Sequence, residues 1–486
     1  MQTQETLFID GQWVAPASRA TIDVISPHTE EVIARVPEGC EADIDRAVAA
    51  ARTAFDEGPW PRMSGPERAE VMERLLAALQ QRADVMATTI TREMGCPISF
   101  SHLGQVMAAN MVLDYFTRLA REFAFEDVRS GMQGPTLVRR EPVGVCAAIL
   151  PWNIPQFIIA MKLGAGLAAG CTVVIKPAPE SPLDTIILAE AIHEAGVPPG
   201  VVNIVQAGRE VGEYLVKHSG IDKVSFTGST AAGRRIGSIC GEQLKRMTLE
   251  LGGKSAAILL EDANLDDAIP GLIPAAMMNN GQACAAQTRI LAPRRRYDEV
   301  VDGLVAAIRA VQVGDPMDPV TFIGPLVAER QRQRVEGYIK LGKEEGARVA
   351  IGGGRPAGMA RGWYVEPTVF ANVNNRMRVA REEIFGPVVV VIPYDGEEEA
   401  LRIANDSDYG LSGSVWTTDV DHGLEVAKRV RTGTYTVNGF TLEFSAPFGG
   451  YKCSGIGREL GPEGLSAFLE YKSINLPMGY EVRGTH

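Results

Sequence analysis

The sequence predicts an α/β protein built on two parallel sheets, with a small β-element outside them. Short apolar runs alternate with helix-like segments from residue 143 to about residue 260. A second series of the same kind begins near residue 254 and continues past residue 430. Parallel strands need a crossover connection, usually a helix, so each series is typical of consecutive βαβ units with helices on both faces of a sheet.

The first series opens with VGVCAAIL (143–150), whose continuous apolar run is typical of a strand buried on both faces. Strand-like and helix-like segments then alternate up to a domain boundary that we expect near Gly252–Gly253. The predicted strands are 143–150, 172–177, 201–205, 223–228, 247–253 and 255–260, and the predicted helices are 155–169, 186–195, 211–218 and 231–239.

The second series continues the α/β pattern to the end of the second predicted domain. Its predicted helices are 265–280, 298–311, 328–345 and 397–405, and its predicted strands are 288–292, 388–394, 412–417 and 434–439. Residues 124–142 differ from both series, because their polarity is mixed and they contain two glycines. They predict a β-hairpin that lies outside the main sheets.

Composition narrows the class of protein. A chain of 486 residues predicts two to four domains, and its net charge of −12 argues against nucleic acid or an anionic membrane as the main partner. The seven cysteines form no CxxC pair and the six histidines no metal-ligand spacing, so we expect no metal. The N-terminal stretch MQTQETLFIDGQWV does not resemble a signal peptide, which predicts a cytoplasmic enzyme.

FTGSTAAG (226–233) is the best-placed candidate for phosphate binding. It follows a predicted strand and opens a predicted helix, so its backbone amides and the Ser229 hydroxyl could meet a pyrophosphate. The alternative is an ordinary serine cap with a glycine turn. Gly164, Gly166 and Ala169 match the spacing of a dinucleotide fingerprint, but they end a predicted helix instead of opening one, which favours a role in helix packing.

Three side chains are candidates for covalent chemistry. Cys284 lies among small residues in GQACAAQTR, Glu250 lies between apolar residues in LELGGK, and Asn153 lies between two prolines in PWNIP. They would serve as nucleophile, general base and oxyanion donor. Apolar surroundings would raise the pKa of Glu250 toward that of a base at neutral pH. The alternatives are a small loop residue, a structural acid and a turn asparagine.

Taken together, the motifs resemble those of the NAD(P)-dependent aldehyde dehydrogenase superfamily. They occur in the order and spacing of that family and span essentially the whole chain. The matching stretches are PWNIP, IKPAPESP, FTGST, LELGGKS, GQAC, EEIFGPV and PFGGYKCSGIGRELG.

The resemblance implies an oxidoreductase with a Rossmann-like cofactor domain, an α/β catalytic domain and a small β oligomerisation element. These would comprise residues 1–123 with 143–252, residues 253–453, and residues 124–142 with 470–486, in a homodimer or homotetramer. It also implies that Cys284 is the nucleophile, Glu250 the base and Asn153 an oxyanion donor, with Lys162 and Glu459 as a proton relay behind the base. The implied cofactor contacts are Trp152, Lys176, Gly228, Ser229, Glu383 and Phe385.

One cofactor position departs from the family pattern. The position that commonly carries a glutamate three residues after the lysine is Pro179, and Glu180 lies one residue further on. Proline accepts no bond from the ribose hydroxyls and removes a charge that would repel a 2′-phosphate. NADP is therefore more tolerable than usual in the family, but we still expect NAD as the cofactor.

The family's substrate-tunnel positions carry apolar residues here, namely Ile154, Ile158, Met161, Leu442 and Phe448. They predict an uncharged, hydrophobic aldehyde (aliphatic, aromatic or terpenoid), unless some of them only pack in the core. Three alternatives remain open: a CoA-acylating enzyme, a non-catalytic protein on the same fold, and a thiol hydrolase. Glu250 argues against the first, the retained thiol and base against the second, and the lack of a Cys–His pair against the third.

Overall fold

The computed structural model describes residues 2–480. In chain order, the strands are β1 Gln2–Thr3, β2 Leu7–Ile9, β3 Gln12–Val14, β4 Thr21–Ile25, β5 Val32–Pro37, β6 Glu126–Gly131, β7 Gly134–Pro142, β8 Val145–Ile149, β9 Thr172–Lys176, β10 Val202–Ile204, β11 Lys223–Thr227, β12 Arg246–Glu250, β13 Ala256–Leu259, β14 Arg289–Pro293, β15 Arg348–Ile351, β16 Thr368–Ala371, β17 Val388–Tyr394, β18 Tyr409–Gly410, β19 Gly413–Trp416, β20 Thr436–Val437, β21 Tyr451–Lys452, β22 Gly455–Ile456 and β23 Leu469–Asn475.

Helices connect the strands of both predicted α/β series, and further helices lie outside the predicted segments. In chain order they are α1 Glu41–Asp56, α2 Gly65–Gln81, α3 Ala83–Met94, α4 Ile98–Phe100, α5 Ala108–Glu122, α6 Pro155–Ala169, α7 Leu183–Glu194, α8 Arg209–Lys217, α9 Thr230–Gln243, α10 Leu265–Met277, α11 Tyr297–Arg309, α12 Glu329–Glu344, α13 Arg378–Arg381, α14 Glu397–Asn405, α15 Val420–Arg429 and α16 Gly461–Ser466. A π-helical segment, Ser101–Met107, joins α4 to α5, and short 3₁₀ turns occur at Trp60–Arg62, Met278–Gly281 and Arg294–Arg296.

The first main sheet brings four loops to one edge. Its order is β22-β12-β11-β8-β9-β10-β2-β3, and the five strands from β12 to β10 run parallel. Ile149 pairs with Lys176 and with Phe226, and Thr227 pairs with Glu250, so the carboxyl ends of these strands are level. The carboxyl edge of a parallel sheet is where ligands bind in this architecture.

The second main sheet has the order β15-β16-β17-β14-β13-β19-β20 and is parallel except at β15. Every residue of β13 and β14 is buried, which explains the continuous apolar runs of the sequence. The loop that carries Cys284 connects α10 to β14, so this sheet holds the thiol. The prediction of an α/β fold is confirmed.

A third sheet, β23-β7-β6, stands apart from the other two. Its hairpin, β6 with β7, confirms the one predicted at 124–142, and β23 pairs with β7 from Leu469 to Asn475. The predicted partner segment 470–486 ends with residues 481–486, which lie outside the described residues.

Two local predictions can be compared with the structure. The helix predicted at 265–280 ends at Met277, because Asn279 and Asn280 adopt left-handed backbone angles that no α-helix accommodates. Gly164 and Gly166 lie inside α6, where a Cβ on Gly164 would come within 2.9 Å of the Phe116 ring, so their role is helix packing. Over residues 2–480, none of the helices has both the length and the apolar character needed to cross a bilayer.

Candidate active site

Cys284, Glu250 and Asn153 line one cavity of about 210 Å³. Asn153 follows β8, Glu250 ends β12, and Cys284 follows the 3₁₀ turn Met278–Gly281. Gly281 has φ +72°, and a Cβ there would lie 2.2 Å from the backbone of Gly386, so glycine is needed for this turn. The three predicted catalytic side chains are therefore brought together from both main sheets.

Glu250 is a buried carboxyl without a compensating contact. It is 2% exposed, and within the described part of the chain neither of its side-chain oxygens has a hydrogen-bond partner. Burial raises its pKa well above the ordinary value, the Glu459 charge raises it further, and Lys162 opposes the shift. The predicted direction of the shift is confirmed, and such a carboxyl is suited to accept a proton near neutral pH.

The Cys284 thiol is half-buried at the wall of the cavity. Burial, with the nearby charges of Glu250 and Glu383, raises its pKa to about 12. The thiol is therefore protonated at neutral pH in the protein alone, and a nucleophilic attack must be accompanied by loss of its proton.

Asn153 is held by three hydrogen bonds to neighbouring residues in addition to its flanking prolines. Its side-chain Nδ2 donates to the Gln282 carbonyl at 2.9 Å. The backbone carbonyl oxygen of Asn153 accepts from Gln105 Nε2 at 3.0 Å and from Asn279 Nδ2 at 2.8 Å. No sequence motif singles out Gln105 or Asn279, although the pair of asparagines before GQAC is typical of a left-handed turn.

Lys162 and Glu459 form a buried ion pair, with Lys162 Nζ 2.5 Å from Glu459 Oε1. Ser225 bridges them, because its hydroxyl lies 3.1 Å from each of these two atoms. Both charges act on the pKa of Glu250. The two residues, 297 positions apart in the chain, therefore lie near the predicted base, as the resemblance implies.

The same cavity is apolar beyond its reactive end. All five predicted pocket residues line it, namely Ile154, Ile158, Met161, Leu442 and Phe448. Its further apolar lining, which the sequence did not single out, includes Phe100, Ala108, Phe157, Met278, Phe440 and Phe444. Among the described lining residues, Glu250 carries the one ionisable carboxylate and there is no Lys or Arg.

A second cavity, of about 280 Å³, lies at the carboxyl edge of the first sheet and includes Lys176 and Pro179. Lys176 Nζ donates to the carbonyls of Pro177 and Ala207, and burial lowers its pKa to about 8. Glu180, next to Pro179, is ion-paired with Arg330. Lys176 and Pro179 thus share a cleft, as predicted.

Gly228 and Ser229 lie at the start of α9, between Phe226 and Ala232, which both line this second cavity. The Ser229 hydroxyl accepts from the backbone N–H of Ala232 at 3.3 Å, so it is the cap of the helix. The 14-residue helix α9 directs its N-terminus toward this edge, where a phosphate would be stabilised.

The other predicted cofactor contacts are Glu383, Trp152 and Phe385, which line neither of these two cavities. Glu383 accepts from the backbone N–H of Gly253 at 2.9 Å, and burial raises its pKa to about 7. The rings of Trp152 and Phe385 pack edge to face, with centroids 5.3 Å apart. A cleft with a lysine, a helix N-terminus, a carboxyl and an aromatic pair fits the chemistry of a pyridine dinucleotide.

Across residues 2–480, no three His, Cys, Asp or Glu side chains come together as a metal-binding group. The reactive groups at the site are the thiol, the carboxyl and the amide.

Comparisons with known proteins agree with this geometry. A sequence model of the aldehyde dehydrogenase family matches residues 13–474. The chain is 49% identical over 471 residues to geranial dehydrogenase of Castellaniella defragrans, covering 97% of this chain and 98% of that protein.

Two solved structures are also similar. An aldehyde dehydrogenase of Mycobacterium tuberculosis in complex with NAD⁺ is 49% identical, with a TM-score of 0.98 and coverage of 99% of this chain and 100% of the other. A variant of aldehyde dehydrogenase C of Pseudomonas syringae in complex with NAD⁺ and octanal is 43% identical, with a TM-score of 0.94 and coverage of 97% and 96%.

Proposed function

Because the chain belongs to the aldehyde dehydrogenase family, we propose that it oxidises an uncharged, hydrophobic aldehyde to the carboxylic acid with NAD⁺ through a covalent intermediate on Cys284. The observation that carries the proposal is the single apolar cavity in which Cys284, Glu250 and Asn153 meet. A nucleophile, a carboxyl with a raised pKa and an amide donor are the groups that covalent acyl chemistry requires.

In the first half of the reaction, the Cys284 sulfur attacks the aldehyde carbonyl and gives a tetrahedral thiohemiacetal. The Asn153 side-chain amide and the Cys284 backbone N–H donate to the oxygen as it becomes negative. Since the pKa of the thiol is raised, its proton must leave during attack, and Glu250 is the carboxyl that faces the same cavity. NAD⁺, when bound, accepts the hydride that is released as this adduct becomes a thioester.

In the second half, water cleaves the thioester. Glu250 takes a proton from the attacking water, the carbonyl oxygen is again stabilised by Asn153, and the carboxylic acid leaves as the Cys284 thiol re-forms. The Lys162–Glu459 pair, with Ser225 between them, offers a buried route for the proton of Glu250.

The residues that would hold the cofactor are Trp152, Lys176, Gly228, Ser229, Glu383 and Phe385. Lys176 and the N-terminus of α9 would contact the adenosine ribose and the pyrophosphate, and Glu383 the nicotinamide ribose. The similar structures with NAD⁺ support this cofactor. Pro179 places no carboxylate against a 2′-phosphate, so we expect NADP to be tolerated, although the similar structures with NAD⁺ favour NAD as the preferred cofactor.

The substrate class is proposed from the lining of the cavity. Burying an alkyl or isoprenoid chain against apolar side chains is favourable, whereas a second carboxylate would meet no Lys or Arg among the described lining residues. The similarity to a geranial dehydrogenase and to an enzyme crystallised with octanal supports the same class.

The test is NADH formation from octanal, geranial and succinic semialdehyde. We expect kcat/KM to be highest for the two apolar aldehydes, and a clear preference for succinic semialdehyde would overturn the substrate class. Cys284→Ala should abolish oxidation while NAD⁺ binding, followed by protein fluorescence, is retained. Cys453→Ala serves as the matched control and should keep activity, because Cys453 does not line the cavity.

The same assay distinguishes the remaining alternatives. An absolute requirement for coenzyme A would identify an acylating enzyme. No NADH formation from any aldehyde, with NAD⁺ binding that Cys284→Ala leaves unchanged, would identify a non-catalytic protein. Hydrolysis of esters at a higher rate than aldehyde oxidation would favour a thiol hydrolase.

We further assign cofactor binding to residues 1–123 and 143–252, catalysis to residues 253–453, and assembly of a homodimer or homotetramer to 124–142 with 470–486. The division of the main strands between two sheets and the separate third sheet support this assignment.

A further inference from the structure

Asn279 joins the two loops that carry the reactive groups. Its side-chain Nδ2 lies 2.8 Å from the carbonyl oxygen of Asn153 and 3.3 Å from that of Gln282, two residues before Cys284. We propose that Asn279 is a positioning residue of the oxyanion hole, which fixes the Asn153 backbone against the loop of the nucleophile. This inference rests on the proposed function.

The hydrogen bonds form a closed set. The Gln282 carbonyl accepts from Asn279 and also from Asn153 Nδ2, at 2.9 Å. A side-chain amide has two N–H groups in one plane. With one N–H of Asn153 held by Gln282, the direction of the other is fixed, and it is the one left to donate to the oxygen of the substrate.

Burial strengthens this set of hydrogen bonds. Asn279, Gln282 and Asn153 are at most 3% exposed, so water competes little for their polar atoms. Gln105, from the π-helical segment, donates to the same Asn153 carbonyl at 3.0 Å. Such segments are frequent at functional sites, and here the segment supplies a second support for the Asn153 backbone.

The chain offers a matched control next to Asn279. Asn280 is equally buried and is also left-handed, with φ 62° against 53° for Asn279. Its Nδ2 donates to the carbonyls of Gly95 and Pro325, both at 2.9 Å, and it makes no recorded hydrogen bond to Asn153 within the described chain. Glycine adopts left-handed angles freely, so Asn279→Gly and Asn280→Gly remove the amides and keep the backbone.

The experiment is a double-mutant cycle on octanal oxidation with Asn153→Ala. We expect Asn153→Ala to lower kcat by about 10²–10³-fold. Asn279→Gly should lower kcat by between about ten- and a hundredfold. The KM for octanal and the dissociation constant of NAD⁺ should change little, because a misplaced donor reduces the stabilisation of the transition state and not the binding of the ground state.

The coupling between the two positions separates positioning from general stability. In the Asn153→Ala background, Asn279→Gly should change kcat within about twofold, since the amide that it positions is already gone. Asn280→Gly should change kcat by the same factor in both backgrounds. It should lower the melting temperature about as much as Asn279→Gly does.

Additive effects of Asn279→Gly and Asn153→Ala in an active enzyme would overturn the inference and leave the proposed function intact. An unsubstituted enzyme that oxidises neither octanal nor geranial would overturn the proposed function and the inference with it.

A second variant keeps the test decisive if Asn279→Gly does not fold. Gln105→Met removes the other donor to the Asn153 carbonyl and fits a helical segment of similar volume. It should lower kcat by a smaller factor than Asn279→Gly and show the same loss of effect in the Asn153→Ala background. An additive result for Gln105→Met would overturn the inference in that case.

Discussion

At the scale of single residues, the chemistry of the site depends on a carboxyl that is buried away from water. Glu250 is buried without a hydrogen-bond partner among residues 2–480, and its pKa is raised, first by burial and then by the charge of Glu459. A base with a raised pKa is protonated over a wider range of low pH and gains activity as pH rises. The pH dependence of turnover therefore reports on this residue.

Glu250→Gln should separate the two halves of the reaction. Thioester formation slows but persists, because water must then accept the thiol proton in place of Glu250, while hydrolysis loses its base and slows more, by about a hundredfold or more. Stopped-flow absorbance should show a burst of NADH close to one equivalent per site, followed by slow turnover. A variant with unchanged steady-state turnover would exclude Glu250 as the base.

The Lys162–Glu459 pair should tune the same pH profile in opposite directions. Glu459 raises the pKa of Glu250 and Lys162 lowers it. Glu459→Gln should therefore move the rising limb of kcat to lower pH, and Lys162→Met should move it to higher pH. Profiles of both variants that coincide with that of the unsubstituted enzyme would contradict a link to Glu250.

Stability provides the control for these two variants. Removing one partner of a buried pair costs about 3–5 kcal/mol, because the other charge is left uncompensated. Thermal unfolding should therefore show a similar loss for both variants, whereas their pH profiles shift in opposite directions.

At the scale of elements, the loop after β9 is expected to determine which contacts the adenosine ribose of the cofactor makes. Pro179 lines the cleft beside Lys176, and the neighbouring Glu180 is ion-paired with Arg330. The cleft is lined by Lys176, Arg209 and Arg235 and by two carboxylates, Glu180 and Glu213, but it lacks a carboxylate at the position where the family commonly has one. The selectivity between NAD and NADP is expected to respond to this single position.

Pro179→Glu should increase the preference for NAD. A carboxylate there would repel a 2′-phosphate and accept from ribose hydroxyls, so the ratio of kcat/KM for NAD to that for NADP should rise by about tenfold or more. Pro179→Ala, which adds no charge, is the matched control and should leave the ratio near its original value. An equal change in both variants would assign the effect to loop conformation.

Element boundaries show where sequence patterns reach their limit. Helix α6 extends over Pro155–Ala169, as predicted, because Pro155 starts it and Gly170, with φ 92°, ends it. Helix α10 ends three residues earlier than predicted, because Asn279 and Asn280 adopt left-handed backbone angles. Asparagine is only mildly unfavourable inside a helix, so the residue types at 279 and 280 did not by themselves locate the end.

At the scale of the whole molecule, the third sheet exposes large apolar side chains. Val128 in β6 and Tyr471 in β23 are 41% and 60% exposed. The two side chains lie on opposite faces of the sheet, because Val128 pairs with Leu137 and Tyr471 with Arg140, three residues apart in β7. Each face therefore offers one exposed apolar side chain to the proposed self-association.

Charges placed on this sheet should weaken self-association. The double variant Val128→Lys with Tyr471→Lys should give a smaller species than the unsubstituted protein in size-exclusion chromatography with light scattering, because a desolvated charge opposes the contact. Val320→Lys alters an exposed apolar residue elsewhere and should leave the mass unchanged. Identical masses for all three proteins would exclude this sheet as the contact.

The sequence by itself determined the α/β class, the hairpin outside the main sheets and the positions of Cys284, Glu250 and Asn153. These depend on local patterns: apolar runs for buried strands, glycines for tight turns, and short motifs around each reactive group. All five predicted pocket residues line the cavity, and the catalytic and cofactor roles given to the site residues stay predictions.

Only the tertiary structure decided what surrounds those residues. The contacts of Asn153 with Gln105 and Asn279 span 48 and 126 positions, and the Lys162–Glu459 pair spans 297. Such contacts depend on how the two sheets and the π-helical segment pack together. That packing cannot be predicted from a local sequence pattern. The pKa shifts have the same origin, because burial and neighbouring charge are properties of the packed fold and not of the motif.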